Sequence, residues 1–132
     1  MTSNVDSANM KEKNWNTILN MYLREKKFYC YYELKDSSGQ ESFSFAKIRK
    51  VQWDGLQSME RSGLVWKLSD EISRPKPCDG FSTPPLPAYL ILKFAKEFVL
   101  IRFEKIVGLR DEGSISISRE TAEKIADKII KL

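Results

Sequence analysis

The chain has 132 residues, enough for one domain, and 42% of them are hydrophobic, so one packed core can form. Lys and Arg number 22 against 18 Asp and Glu, and the net charge of +4 favours an anionic partner. The absence of His excludes Ser-His-Asp and Cys-His catalysis, zinc fingers and most transition-metal sites. Chemistry in this chain would therefore use carboxylates, lysine, amides and a hard metal ion.

Cysteine usage and hydropathy restrict the cellular setting. Cys30 and Cys78 form no Cys-x-x-Cys motif, and two isolated cysteines favour a reduced, intracellular protein, although a single disulfide stays open. No apolar run approaches the roughly 18 residues that a membrane-spanning helix needs. We therefore expect a cytoplasmic protein without a membrane segment.

The first quarter of the chain predicts a tail, a helix and a strand. Small polar residues fill 1–9 and predict a disordered tail, which leaves 10–132 as a single domain. Within 10–27, apolar side chains recur at steps of three and four, which is the spacing of one helix face. These side chains are Trp15, Ile18, Leu19, Tyr22 and Leu23. The aromatic run 28–35 then predicts a strand, and the segment DSSGQES that follows predicts a turn.

The middle of the chain predicts a helix, a second strand and a long loop. Ser44 can cap a helix over 44–61, and Gly63 ends it. The run LVWKL at 64–68 predicts a strand that lies beside the first one. Residues 69–87 contain all five prolines, so this segment predicts a long ordered loop.

The last third of the chain predicts a hairpin and a closing helix. Two apolar runs, 88–94 and 98–103, are separated by a short turn. Ser118 can cap a helix over 119–132 whose inner face consists of Ala122, Ile125, Ala126, Ile129 and Ile130. The order of elements predicts an α/β fold with a small mixed β-sheet flanked by helices.

Glu33 and Lys35 are the first candidates for chemistry. Side chains alternate along a strand, so both project from one face of the predicted strand 28–35. A carboxylate there can hold Mg²⁺ or Mn²⁺, and the lysine can position a water or neutralise charge on a phosphate. Charges that alternate along an exposed strand are also common, and the three-residue pattern alone does not separate the two interpretations.

Gln52 is the second candidate, because it lies on the apolar stripe of the predicted helix 44–61. The other members of that stripe are Phe45, Ile48, Leu56 and Met59. An amide on a core-facing stripe needs hydrogen-bond partners to offset its desolvation. It is either a satisfied buried amide or a group that faces Glu33 and Lys35 and orients a water or a phosphate.

The segment ELKDSSGQESFSFAKIRKVQ resembles the second half of the PD-(D/E)XK nuclease motif, as found in Holliday junction resolvases of the phage and Gram-positive type. Those proteins have a Glu-x-Lys strand, a turn, a Ser-Phe-x-Phe-like segment and a helix that carries a Gln. A looser similarity continues through AYLILKFAKEFVLIRFEKI and SISISRETAEKIA, so the resemblance covers about 28–130. It implies a restriction-endonuclease-like core, with Glu33 as a metal ligand, Lys35 as the catalytic lysine and Gln52 as an active-site amide.

The sequence departs from this family at the first metal-binding Asp, which normally lies on a strand shortly before Glu-x-Lys. Between Lys13 and Tyr32 the only acidic residue is Glu25. Asp70 and Asp79 border the proline-rich loop, and the predicted strand 64–68 would bring either one close to Glu33 as the second metal ligand. The alternative is that both are turn residues that stabilise the loop.

Lys47, Arg49 and Lys50 form the candidate nucleic-acid contact, because they flank the proposed site on the outer side of the predicted helix. The alternative is that this basic cluster is simply a solvated helix face. The resemblance implies a homodimeric, metal-dependent endonuclease that hydrolyses phosphodiester bonds in branched DNA with Mg²⁺ or Mn²⁺. The alternative is a catalytically inactive nuclease-fold protein that binds nucleic acid or a protein partner.

Overall fold

A computed structural model describes residues 4–71 and 73–132, with side chains from Asn14 onward. The helices in these ranges are α1 (Asn4–Glu25), α2 (Lys50–Ser62), α3 (Phe103–Asp111) and α4 (Arg119–Ile125). The strands are β1 (Tyr31–Asp36), β2 (Ser42–Ser44), β3 (Leu64–Lys67), β4 (Gly80–Thr83), β5 (Ala88–Phe94), β6 (Glu97–Arg102), β7 (Ser116–Ser118) and β8 (Lys128–Lys131). None of these helices is both long enough and apolar enough to cross a membrane.

The central sheet has four strands in the order β1-β5-β6-β8. Strand β1 runs parallel to β5, whereas the β5–β6 and β6–β8 pairs are antiparallel. Every residue of β5 is buried, because this inner strand is covered on both faces, and its sequence AYLILKF is correspondingly apolar. The predicted α/β class with a small mixed sheet and flanking helices is confirmed.

Helix α1 covers one face of the central sheet. Leu19 and Leu23 are buried there against side chains of β5, β6 and β8. The predicted helix 10–27 is therefore present, and it begins earlier, at Asn4. Residues 4–9, assigned above to a disordered tail, belong to α1, since they contain no proline or glycine to interrupt the helix. Residues 1–3 of that tail lie outside the described part of the chain.

The other face of the sheet packs against α2, α3 and α4. The core on this side centres on Phe43, Trp53, Leu90, Val99 and Phe103, all of them buried. Rings in this layer contact one another, and the centroids of Trp53 and Phe103 are 5.1 Å apart. The sheet thus lies between two helical layers, each with its own apolar cluster.

The predicted helix 44–61 is divided in two. Residues Phe45–Lys47 form a short 3-10 turn, in which the N–H of Ala46 donates to Ser44 Oγ at 3.3 Å, and α2 begins at Lys50. The predicted helix is interrupted because the backbone is extended at Ile48 and Arg49, which separate the 3-10 turn from α2.

Strand β3 lies where the sequence predicts a strand, but its expected place beside β1 is wrong. In the described chain β3 pairs with β4 in a separate two-stranded sheet. Gly63, at φ +77°, joins α2 to this ribbon, and a Cβ there would clash with the backbone oxygen of Thr83. Trp66 and Phe81 face each other across the ribbon and are each about half exposed.

The C-terminal segment also differs from the sequence expectation. A helix over 119–132 is wrong beyond Ile125, because Lys128–Lys131 is the strand β8. This strand pairs with β6 and provides hydrogen-bond partners for the backbone groups along the edge of β6, which would otherwise lack them. Helix α3, which follows β6 directly, was not predicted. The hairpin of β5 and β6 is present as expected.

Candidate functional site

Glu33, Lys35 and Gln52 meet where the edge strand β1 faces the start of α2. Gln52 Nε2 donates a hydrogen bond to Glu33 Oε1 at 2.9 Å, and Lys35 Nζ lies 3.4 Å from the same oxygen. The side chains of Lys35 and Glu33 are 22% and 27% exposed. The strand alternation predicted from the sequence places both on one face, and the structure brings all three candidate residues together. We call these three residues the Glu33 cluster.

The side-chain oxygen of Gln52 caps the N-terminus of α2. Gln52 Oε1 accepts a hydrogen bond from the backbone N–H of Arg49 at 3.0 Å. The first N–H groups of a helix lack partners within the helix, so this bond stabilises the N-terminus of α2. Gln52 therefore fits both sequence interpretations, because it is a satisfied amide and it also contacts Glu33.

Asp70 and Asp79 make their contacts elsewhere. Both carboxylates pair with Lys76 Nζ, at 3.3 Å and 3.1 Å respectively, next to the β3–β4 ribbon. Their side chains are 79% and 96% exposed. The prediction that either aspartate approaches Glu33 required β3 to lie beside β1. It is wrong, because the strand that pairs with β1 is β5. The observed geometry matches the alternative interpretation of loop-stabilising residues.

Among the described side chains of residues 14–32, none brings a carboxylate to the cluster either. Helix α1 lies on the opposite face of the sheet. There the Tyr32 hydroxyl donates to Asn16 Oδ1 at 2.7 Å and to Asn20 Oδ1 at 2.6 Å. Burial raises the pKa of Tyr32 above its ordinary value. Glu25, the one acidic residue of this stretch, is exposed at the end of α1.

The Glu33 cluster does not fit a site for Mg²⁺ or Mn²⁺. Among the described residues, no group of three or more His, Cys, Asp or Glu side chains is arranged to hold a metal ion. Glu33 provides a single carboxylate, and its Oε1 already contacts Lys35 and Gln52. Hard cations need several oxygen ligands around them. The cluster is instead a hydrogen-bonded unit in which an ammonium balances a carboxylate.

Lys47, Arg49 and Lys50 surround the N-terminus of α2 and are all exposed. Lys47 Nζ donates a hydrogen bond to Gln40 Oε1 at 3.3 Å, and Lys50 Nζ lies 4.0 Å from Asp54. The side chains of Lys50 and Asp54 are 91% and 65% exposed, so water largely screens that pair. Three basic side chains therefore stand close together beside the Glu33 cluster.

Comparisons with known proteins do not place the chain in a family. No family model, no curated protein and no solved structure matches it.

A second polar group, at the far end of α2, was missed by the sequence analysis. Glu60 Oε1 accepts hydrogen bonds from Arg102 Nη2 at 2.6 Å and from the N–H of Ala88 at 3.1 Å. It thus links α2 to β5 and to the end of β6. A sequence signal existed, since Arg102 is the one charged residue in the apolar run 98–103, but nothing in the sequence indicated that Glu60 would be its partner.

Proposed function

We propose that this protein binds DNA through the exposed basic side chains at the start of α2, on a restriction-endonuclease-like core that does not cut its ligand. The observation that carries the proposal is the Glu33 cluster, where Lys35 and Gln52 occupy the one carboxylate of the site. With that carboxylate balanced, Lys47, Arg49 and Lys50 give this surface a positive charge. The chain as a whole carries +4, which favours the same kind of ligand.

Positive charge and reach are sufficient for contacts to phosphates. Such contacts position a protein on DNA without reading its sequence, and each one releases counterions. The logarithm of the binding constant should therefore fall with the logarithm of salt concentration by about 0.9 for each phosphate contact. Three contacts from Lys47, Arg49 and Lys50 would give a slope of about −3.

A metal-dependent endonuclease that acts on branched DNA as a homodimer is the second candidate. Gln52 approaches Glu33 and Lys35, as the resemblance implies, and this observation favours it. The two aspartates expected to serve as its second metal ligand, Asp70 and Asp79, pair with Lys76 instead. For this reason we rank it below DNA binding without cleavage.

The first test measures affinity for a four-way junction and for duplex DNA by gel shift at several salt concentrations. Replacing Lys47, Arg49 and Lys50 together with Glu should weaken binding at least about 100-fold, since three attractive contacts become repulsive. The matched control replaces Arg24, Lys26 and Lys27 with Glu, because these exposed residues lie on and after the end of α1, which covers the opposite face. Equal loss in both triple variants, or no loss in either, would contradict the proposed surface.

The same junction, incubated with Mg²⁺ or Mn²⁺, separates the two candidates. We expect no cleavage, and we expect Glu33→Gln to bind DNA as tightly as the original chain or more tightly, because it removes a negative charge from the surface. Metal-dependent cleavage that Lys35→Ala and Glu33→Gln both abolish would establish the endonuclease instead. Lack of any DNA affinity in the unmodified chain would overturn both candidates.

A further inference from the structure

A pocket of about 310 Å³ opens between α2 and α3, away from the Glu33 cluster. Its walls are formed by one face of each helix. The lining residues are Gln57, Glu60 and Arg61 from α2 and Phe103, Glu104 and Val107 from α3. This volume lies at the lower end of the roughly 300–1,000 Å³ that is usual for small-molecule sites.

The apolar part of the pocket is rigidly held. Phe103 is almost fully buried, and its ring packs against Trp53 with centroids 5.1 Å apart. Val107, one turn further along α3, is partly buried in the same core. Because Phe103 is only 1% exposed, Val107 supplies most of the apolar surface that a ligand can reach, and the buried Phe103 ring lies beneath it.

Glu60 supplies a carboxylate that is anchored through one oxygen. Its Oε1 accepts both the 2.6 Å bond from Arg102 and the 3.1 Å bond from the N–H of Ala88. Within the described residues, the second oxygen, Oε2, accepts no hydrogen bond. A hydrogen-bond donor on a ligand in the pocket could therefore donate to Glu60 Oε2, and Arg102 and Ala88 already fix the position of this side chain.

Opposite charges stand on the two walls. Arg61 on α2 and Glu104 on α3 are exposed, and both line the pocket. Among the described residues neither side chain forms a salt bridge, although Glu104 lies near enough to Arg102 to contribute to the raised pKa of that guanidinium. The pocket therefore has an exposed cation on α2 and an exposed anion on α3. A ligand with both charges would match this arrangement.

We propose that the α2–α3 pocket binds a small amphipathic zwitterion, of the chemical class of an apolar α-amino acid. The ammonium group would contact Glu104 and Glu60 Oε2, the carboxylate would contact Arg61, and the apolar body would cover Phe103 and Val107. A wholly apolar ligand would desolvate the charged walls without compensation. An anion alone would lie against two carboxylates, and a cation alone would leave Arg61 unmatched.

The test uses three probes that share a phenyl body and differ only in charge: L-phenylalanine, phenethylamine and 3-phenylpropionate. Binding to the full chain is followed by calorimetry and by backbone amide chemical shifts. L-Phenylalanine should bind about tenfold more tightly than either singly charged probe, because it makes one more charge-assisted contact. The shifts should concentrate at 57–61 and 103–107.

Single substitutions then assign each charge. Glu104→Gln should weaken L-phenylalanine about tenfold but should not weaken 3-phenylpropionate, because it removes a carboxylate that repels this anion. Arg61→Gln should weaken L-phenylalanine but should not weaken phenethylamine, because it removes a guanidinium that repels this cation. Asp111→Asn, an exposed change at the end of α3 outside the pocket, is the matched control and should change nothing. No saturable binding of any probe, equal affinity of all three, or L-phenylalanine binding that survives both substitutions would overturn the proposal. DNA affinity does not enter this test, so its result is independent of the proposed DNA binding.

Discussion

At the scale of single residues, two charged side chains are buried at the turn of the β5–β6 hairpin. Lys93 is 3% exposed, and its Nζ donates hydrogen bonds to the carbonyls of Phe94 and Ala95 at 2.9 Å and 3.2 Å. Glu97 is 2% exposed and pairs with Lys131 at 2.6 Å and with Arg119 at 3.3 Å. Buried charges are tolerated when they are paired in this way.

The Glu97 carboxylate should make stability depend on pH. Burial raises the pKa of this carboxyl group, but hydrogen bonds with Lys131, Glu123 and Arg119, together with the charge of Lys131, outweigh burial and lower the pKa below its ordinary value of 4.5. The folded chain therefore binds this proton at lower pH than the unfolded chain does. The stabilisation from ionised Glu97 is complete above about pH 4.5 and is lost as the pH falls through the lowered value.

Glu97→Gln should lower the free energy of unfolding at pH 7 by about 1–3 kcal/mol, because a buried charged hydrogen bond is lost. The deficit should be smaller at pH 3 than at pH 7, because below about pH 4.5 the unfolded chain takes up this proton before the folded chain does, and the stabilisation from ionised Glu97 declines. Urea unfolding at both pH values measures this difference. Glu112→Gln, an exposed change, should stay within about 0.5 kcal/mol of the original chain. A deficit that is equal at pH 7 and pH 3 would contradict the assigned role of the charge.

At the scale of elements, helix α1 holds one face of the sheet through a few side chains. Leu19 is fully buried against the strands, while its neighbour Ile18 is 44% exposed. Leu19→Ala should destabilise the fold by about 2–5 kcal/mol through lost burial and a cavity. Ile18→Ala, the matched control, should cost less than about 1 kcal/mol. Similar losses for both, measured by denaturant unfolding, would mean that α1 does not pack on the sheet as described.

Patterns of neighbouring residues predicted those helices and strands whose formation depends on residues close together in the sequence. The three-four spacing located α1 and most of α2, and the paired apolar runs located the β5–β6 hairpin. The segment 128–131 shows the limit of this reasoning. Its Ile129 and Ile130 continue the helical spacing of α4, yet they form β8 because the open edge of β6 needs hydrogen-bond partners. That requirement comes from another part of the chain and leaves no local signal.

At the scale of the whole molecule, the two cysteines differ in burial: Cys30 lies beneath α1 and Cys78 lies in an exposed loop. Both are unpaired. Cys30 packs against the cluster beneath α1, and burial raises the pKa of its thiol to about 11, from an ordinary value of 9.0. Cys78 is exposed in the loop that leads to β4.

Cys78 should therefore react rapidly with a thiol reagent at pH 8, and Cys30 at least about 100-fold more slowly, since a pKa raised by two leaves that much less thiolate. Cys78→Ser provides a chain in which the Cys30 rate is measured alone. Leu19→Ala in that background should speed the reaction, because it loosens α1. Two thiols that react at the same rate in the native chain would show that α1 leaves Cys30 uncovered.

Patterns in the amino-acid sequence predicted the α/β class, helix α1, most of α2 and the β5–β6 hairpin. They also named Glu33, Lys35 and Gln52 as candidates, and they left open whether Gln52 faces the other two. Alternation along a strand and periodicity along a helix are short-range rules, so they can be applied without knowing the fold. Only the tertiary structure decided that β3 pairs with β4 and leaves β1 beside β5. That pairing keeps Asp70 and Asp79 with Lys76, and it depends on hydrogen bonds between segments that are distant along the chain.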